Sequence, residues 1–410
     1  MADESYADGD LIYISGDSHL EIDSKYWRGR VPAIHRDRVP RVIKLPDGGD
    51  AWVAENSPLT ENPFDLYGGK GRENWWPFGQ SYDKTAGTGT AEQRLREQDE
   101  DGIAAEVLFP GVVATRLWRN IRDDDAYLAI VQAYNDFLAQ DYCAVNRDRL
   151  IGIGLLPATG VVDDVIAEME RCAKMGLKAV VMTTFPAGAS YPSKDDDRFW
   201  AAAVDLGMPI TIHQELKRSG ILLHYPPEAR KVRQRLGDYA ELGVQVTKYA
   251  QTGAINAIQL ALSGVFDRFP KLDLFFAETQ IGWLPFCMTM ADVRFERHRL
   301  WTQRLFEWWQ PPKELPSYYL GRRCSWGFQY DRLGVEMRHK IGVDNVIWAT
   351  DFPHQESEWP NSMGIVKRNF EGVPEDEVRK MVQDNVVRFF HLDLEAIAKQ
   401  APRRAAAAAV

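Results

Sequence analysis

Short apolar runs that stop at a polar residue recur along this chain. Val346 to Thr350 ends at Asp351 and is followed by Phe352, Pro353 and His354. Leu11 to Ile14 leads through Ser15 and Gly16 into Asp17, Ser18, His19, Leu20 and Glu21, and Met208 to Ile212 ends at His213. Continuous apolar runs of this length predict parallel strands buried on both faces, each delivering a polar residue to its C-terminal end. Asp17 and His19 are two positions apart, so an extended strand turns both side chains to one face, where they can converge on one ion.

Further strands are expected near 103–109, 151–157, 179–184, 272–277 and 324–328. Helical stretches fall between them, near 91–101, 124–147, 161–175, 197–206, 240–264, 284–300 and 374–390. Strands alternating with helices of about 12 residues or more imply right-handed βαβ units and a parallel sheet. Eight such strands predict an α/β fold of the (β/α)₈ TIM-barrel type as one domain over residues 11–392, ahead of an open doubly wound sheet. No GxGxxG or Walker-type loop follows any strand, which weakens the nucleotide-binding alternative.

At 410 residues the chain exceeds the roughly 250 of a plain barrel, leaving room for insertions. Residues 46–95 lose all periodicity but hold Trp52, Phe64, Tyr67, Trp75, Trp76, Phe78 and Tyr82. A disordered linker would be poor in aromatics, so an ordered lid over the barrel mouth is expected. A second insertion at 214–237 is rich in Arg and Lys, and the Ala-rich tail at 397–410 is expected to be disordered.

The net charge of -10 argues against non-specific binding to nucleic acid or acidic membranes, which leaves a small molecule as the expected partner. No apolar run of 18 residues suggests a membrane span, and residues 1–10 carry no apolar leader core, so a cytoplasmic protein is expected. The four cysteines, Cys143, Cys172, Cys287 and Cys324, show no paired spacing and predict neither a zinc knuckle nor a disulfide framework.

Six motifs in consistent order now point to a family. They are Asp17-Ser-His19, Ile212-His213, the stretch from Ser263 to Pro270, Glu278 with Gly282-Trp283-Leu-Pro285, Trp348-Ala-Thr-Asp351-Phe-Pro-His354, and Asp384-Asn385. Together they resemble the amidohydrolase-related branch of the metal-dependent hydrolases, which includes aminocarboxymuconate semialdehyde decarboxylase and the γ-resorcylate decarboxylases. The resemblance implies a barrel holding a divalent ion, Zn or Mn, on Asp17, His19, His213 and Asp351. Two positions depart from the decarboxylases. Asp17 stands where Glu or His is frequent, and Glu278 stands where the semialdehyde decarboxylase has a histidine.

One ion with two imidazoles and two carboxylates keeps positions open for water or substrate. The expected activity is therefore hydrolysis or non-oxidative decarboxylation of a small organic molecule, with Glu278, His354 and Glu21 as candidates for catalytic duty. The alternative is a dinuclear iron or Mn/Fe monooxygenase, as in a few relatives of this branch, because the carboxylate-rich set that adds Glu21, Glu278 and His354 suits two ions. A non-catalytic partner subunit is disfavoured by the complete ligand set. A homo-oligomer is expected.

Overall fold

The computed structural model describes residues 11–61, 64–76, 78–216 and 253–402. The first strand, β1 (Ile14–Leu20), is followed by three short strands, β2 (Arg41–Lys44), just before the first insertion, and β3 (Asp50–Val53) and β4 (Thr60–Glu61) within it. Seven more follow: β5 (Ala105–Pro110), β6 (Leu150–Leu155), β7 (Ala179–Met182), β8 (Ile210–His213), β9 (Leu274–Ala277), β10 (Cys324–Phe328) and β11 (Val346–Trp348).

β1 and β5 to β11 form one parallel eight-stranded sheet in chain order, as a (β/α)₈ barrel requires. Its seam closes just beyond β11. Asp351 N–H donates to the Asp17 carbonyl at 2.9 Å, and His19 N–H donates to the Phe352 carbonyl at 2.8 Å. Ile14, Val107, Ile153, Val180, Ile210, Leu274, Trp326 and Ile347 are fully buried, so the core runs through the strands themselves. That burial explains why they read as continuous apolar runs.

β1 carries a bulge. Ser15 lies opposite Glu106 and Ser18 opposite Leu108, so β1 spends one residue more than β5 between them. The extra residue brings the Ser15 and Ser18 hydroxyls within 3.0 Å of each other and of Thr350 Oγ1. Gly16 occupies the bulge because the chain passes tightly against β11. A Cβ there would lie 2.3 Å from Ile347 Cγ2.

Several expectations shift at their edges. β1 begins at Ile14 rather than Leu11 and, as expected, carries Asp17 and His19 on the strand itself. The helix expected over 374–390 is interrupted by a π-turn at Lys380–Asp384, and the one over 124–147 stays α-helical only for Asp124–Phe137. The first insertion supplies β3 and β4 of an antiparallel sheet β2-β3-β4, which its lack of periodicity hid. Strands of two to four residues between glycines and prolines are too short to show alternation. The same insertion reaches the barrel. At Gly87 a Cβ would lie 2.4 Å from Pro353 Cβ, and at Gly68 one would lie 3.0 Å from the same atom.

The helix expected over 240–264 is described only as Ala254–Leu262. Most of the basic insertion at 214–237 and residues 403–410 of the tail lie outside the described residues, whereas 397–400, expected to be disordered, end the helix Leu394–Gln400 with Ile397 buried. No helix among the described residues is long and apolar enough to cross a membrane.

Candidate metal centre

Three strand ends and one strand interior converge at the C-terminal face of the barrel. β1 supplies Asp17 and His19, β8 ends at His213, Glu278 follows β9 directly, and Asp351 lies three residues past the end of β11. One ligand atom from each of these five residues lies within 4.8 Å of all the others. All except His213, which is partly exposed, are buried.

The distances suit donors that share an ion. His19 Nε2 and His213 Nε2 face each other at 2.9 Å, and Asp351 Oδ1 lies 3.3 Å from His19 Nε2. Glu278 Oε2 lies 3.3 Å from His213 Nε2, and Asp17 stands 3.7 and 3.6 Å from the two imidazoles. Ligands at right angles and about 2.1 Å from one ion are separated by about 3.0 Å. The buried carboxylate oxygens suit the same reading. All four carboxylate oxygens of Asp17 and Asp351 are buried and accept no hydrogen bond, a costly state unless a cation takes their lone pairs.

The histidine tautomer is set from behind. His19 Nδ1 lies 3.2 Å from the Pro110 carbonyl, which accepts its proton and leaves Nε2 as a lone pair facing the cluster. Phe109, on β5, packs against both the His19 and His213 rings, with centroids at 6.2 and 5.3 Å.

Asp351 and Glu278 share an unusual backbone. Both adopt left-handed conformations, with φ of 56° and 52°, as do Gln214 and Gln280 at the same rim. Non-glycine residues rarely sit there, and such strain concentrates where side chains must be aimed at a site.

His354 and Glu21 form a second group beside the first. His354 stacks on His19 with ring centroids 3.8 Å apart, and its Nδ1 lies 3.5 Å from Asp351 Oδ1. On its other side, Nε2 lies 3.2 Å from Glu21 Oε1 and 3.7 Å from Asp65 Oδ1. Burial works against charge on His354, but Asp65, Asp351 and Glu21 outweigh it and raise its pKa well above the ordinary histidine value. Burial raises Asp17, only partly opposed by His19. At Asp351 burial acts in the same direction, yet His354 and His19 prevail and hold the carboxyl well below its usual range.

Sequence reading placed all seven candidates, Asp17, His19, Glu21, His213, Glu278, Asp351 and His354, and the fold brings all seven together. It missed Asp65, from the aromatic insertion, and Arg94. Arg94 sits in the helix Ala91–Asp101, a charged stretch in which nothing marks it out. Its guanidinium is nevertheless buried, pairs with Glu106 at 2.6 Å, and donates to the His19 and Phe352 carbonyls at 3.1 and 3.0 Å. His35, His298, His339 and His391 do not join the cluster, and His224 lies outside the described residues.

A sequence model of the amidohydrolase family matches residues 74–392. The chain belongs to the amidohydrolase family. Among curated relatives, this amidohydrolase is 25% identical over 324 residues to γ-resorcylate decarboxylase of a Rhizobium species, covering 73% of this chain and 86% of the relative. It is 24% identical over 326 residues to the Rhodococcus jostii enzyme of the same name, covering 73% and 87%. Solved structures share the amidohydrolase barrel. An amidohydrolase from Mycobacterium avium subsp. paratuberculosis superposes with a TM-score of 0.68 at 17% identity, covering 93% of this chain and 99% of that one. A 5-carboxyvanillate decarboxylase from Novosphingobium aromaticivorans, solved with manganese and 4-hydroxy-3-methoxy-5-nitrobenzoic acid, superposes with a TM-score of 0.64 at 18% identity, covering 95% and 98%.

Proposed function

We propose that this amidohydrolase is a divalent-metal-dependent, non-oxidative decarboxylase of a small hydroxylated aromatic acid, with manganese as the working ion. The observation that carries this reading is the set of unpartnered, buried Asp17 and Asp351 carboxylates facing the paired His19 and His213 nitrogens. The names of its relatives and neighbours, γ-resorcylate decarboxylase and 5-carboxyvanillate decarboxylase, support the substrate class. These relatives favour the decarboxylase over the dinuclear oxygenase.

Asp17, His19, His213 and Asp351 would hold the ion. When bound, it supplies charge to fix an acidic substrate and draw electron density from it. The protein's own part is proton transfer. As the ring carbon to carboxylate bond breaks, carbon dioxide leaves, the electron pair stays on the ring carbon, and a proton must reach that carbon. We assign the delivery to Glu278, whose Oε2 touches the cluster at 3.3 Å from His213. His354, facing Asp351 at 3.5 Å, orients that carboxylate, with Glu21 behind it.

Residues 46–95 are read as a lid, supported by the seating of Gly68 and Gly87 against Pro353. A homo-oligomer is supported by Phe286, Leu300, Trp301, Leu305 and Trp308, all exposed along and just beyond the helix Leu284–Leu305. Light scattering on the purified protein tests that part.

The test of function is direct. Metal-free protein loaded with manganese is incubated with 2,6-dihydroxybenzoate, 5-carboxyvanillate and related hydroxybenzoates, and carbon dioxide and the decarboxylated phenol are measured. Metal-dependent release from at least one of these acids is expected. Manganese-loaded protein that releases none from the whole panel overturns the proposal.

A further inference from the structure

The loops that follow β9 and β10 are stapled to each other. Asp331 Oδ2 accepts the backbone N–H groups of Ile281 and Gly282 at 2.7 and 2.6 Å, and its Oδ1 accepts that of Gly334 at 2.8 Å. Asn369 holds the same stretch from the other side, donating to the Gln329 carbonyl at 2.7 Å and accepting from Asp331 N–H at 3.0 Å. The backbone at Gln329 is therefore fixed from two directions.

The register of the sheet gives the direction of its side chain. Thr211, two residues before His213 on β8, lies opposite Phe275, and Phe275 lies opposite Ser325. Paired residues of a parallel sheet face the same side, and the side alternates along each strand. Ser325, Gly327 and Gln329 thus share the inner face with His213. Trp326 and Phe328 turn outward onto Trp283, at the head of the helix Leu284–Leu305, and Phe370, at the end of the helix Ser362–Phe370. Gln329, the first residue past β10, stands at the C-terminal mouth.

Its amide is only half used. Gln280 Oε1 accepts the Gln329 N–H at 3.4 Å, so the other end of that amide, Nε2, is the donor to Gln329 Oε1 at 2.9 Å. Gln329 Nε2 keeps two protons with no acceptor among the described residues, although the side chain is only 1% exposed. Burying an unpaired amide donor is costly. Gln280 is held in a left-handed backbone, with φ of 55°, two residues after Glu278. One strained turn therefore carries both the assigned proton donor and the clasp on Gln329.

We infer that Gln329 Nε2 donates to an oxygen substituent on the ring of the substrate, so that this amide selects hydroxylated aromatic acids over unsubstituted ones. The inference rests on the decarboxylase reading for its substrate class. The carboxyl group of such an acid goes to the ion, which leaves a ring oxygen as the acceptor still to be met. The cluster itself offers that oxygen carboxylates, which repel it when ionised, whereas a neutral amide donates without adding charge.

Manganese-loaded wild type, Gln329→Met and Gln329→Glu are titrated by calorimetry with benzoate and with the monohydroxy- and dihydroxybenzoates, and carbon dioxide release is measured separately. Wild type is expected to bind at least one hydroxylated acid about 10- to 100-fold more tightly than benzoate, the range for one hydrogen bond to a charged oxygen. Gln329→Met should erase that preference while leaving benzoate affinity, manganese content and circular dichroism unchanged. Gln329→Glu, nearly isosteric and still able to accept from Gln280, should bind the hydroxylated acids more weakly still. Wild-type protein that binds no hydroxylated acid more tightly than benzoate overturns the inference. A preference retained by either folded variant also overturns it, and leaves the amide holding only a trapped water. A preference lost in Gln329→Met, with no carbon dioxide released by wild type, supports the inference and overturns the reaction alone.

Discussion

Asp351 donates its backbone N–H to the carbonyl of Asp17 at 2.9 Å, while the carboxylates of both residues are buried in one cluster and accept no hydrogen bond. The main-chain bond fixes their separation without consuming a side-chain oxygen. Asp351→Asn and Asp17→Asn keep that bond and the side-chain shape while removing a charge from the proposed ion. Each is expected to lower metal occupancy with little change in thermal stability of the metal-free protein. Unchanged metal content in both variants, read by mass spectrometry, would sink the ligand assignment.

Glu278→Gln separates proton transfer from metal retention. The variant is expected to keep most of its metal and to lose turnover by about 10² to 10⁴, the usual contribution of a positioned acid or base. Loss of the ion in step with activity would instead make Glu278 a ligand.

Arg94 acts on the site from behind. Arg94→Met leaves Glu106 buried without its cation, and losing one partner of a buried pair costs about 3 to 5 kcal/mol. The His19 and Phe352 carbonyls lose their shared donor at the same time. Metal affinity is therefore expected to fall about 10- to 100-fold, the range seen when groups that orient ligands are removed. Urea unfolding measures the first effect and metal titration the second. Arg94→Lys should rescue little, because an ammonium cannot span carbonyl, carbonyl and carboxylate as a guanidinium does.

Asp101 gives a pH signature independent of the metal. Burial pushes its carboxyl up from 3.8 to about 6, against the opposing hydrogen bonds from Ser362 N–H and Oγ. A carboxyl with a raised folded pKa binds its proton more tightly in the folded state. Its stabilising contribution is thus fully present below about pH 3.8 and lost as pH rises through about 6. Asp101→Asn can hold Ser362 without titrating. Its stability relative to wild type should rise between pH 4 and 6 and level off near neutrality, by an amount on the order of 2 to 3 kcal/mol. A difference that does not change with pH would contradict the shift.

Most of the barrel was legible because burial on both faces leaves a plain mark, a run such as Val346 to Thr350 that stops at Asp351. Asp17, His19, His213 and Asp351 were found because each sits on such a run or at its end. Asp65 and Arg94 carry no comparable mark. Asp65 lies in an aperiodic stretch whose position depends on the chain folding back onto Pro353, and Arg94 lies in the charged sequence Ala-Glu-Gln-Arg-Leu-Arg-Glu. Only tertiary packing distinguishes its buried guanidinium from the exposed one of Arg96 two residues later. The β1 bulge was equally hidden, since a one-residue change of register leaves the order of apolar and polar residues intact.

The seam between β1 and the residues after β11 also sets a schedule. Asp17 and His19 are made near the start of synthesis, whereas Asp351 and Phe352, which lock them in place, come more than 300 residues later. A growing chain on the ribosome holds half a cluster throughout most of translation, and at about 5 to 20 residues per second that interval lasts from about 15 seconds to more than a minute. On the proposed ligand set, ion capture would come late in making this chain, and a chain cut short before β11 would lack Asp351 and the two main-chain bonds that hold the β1 side of the cluster.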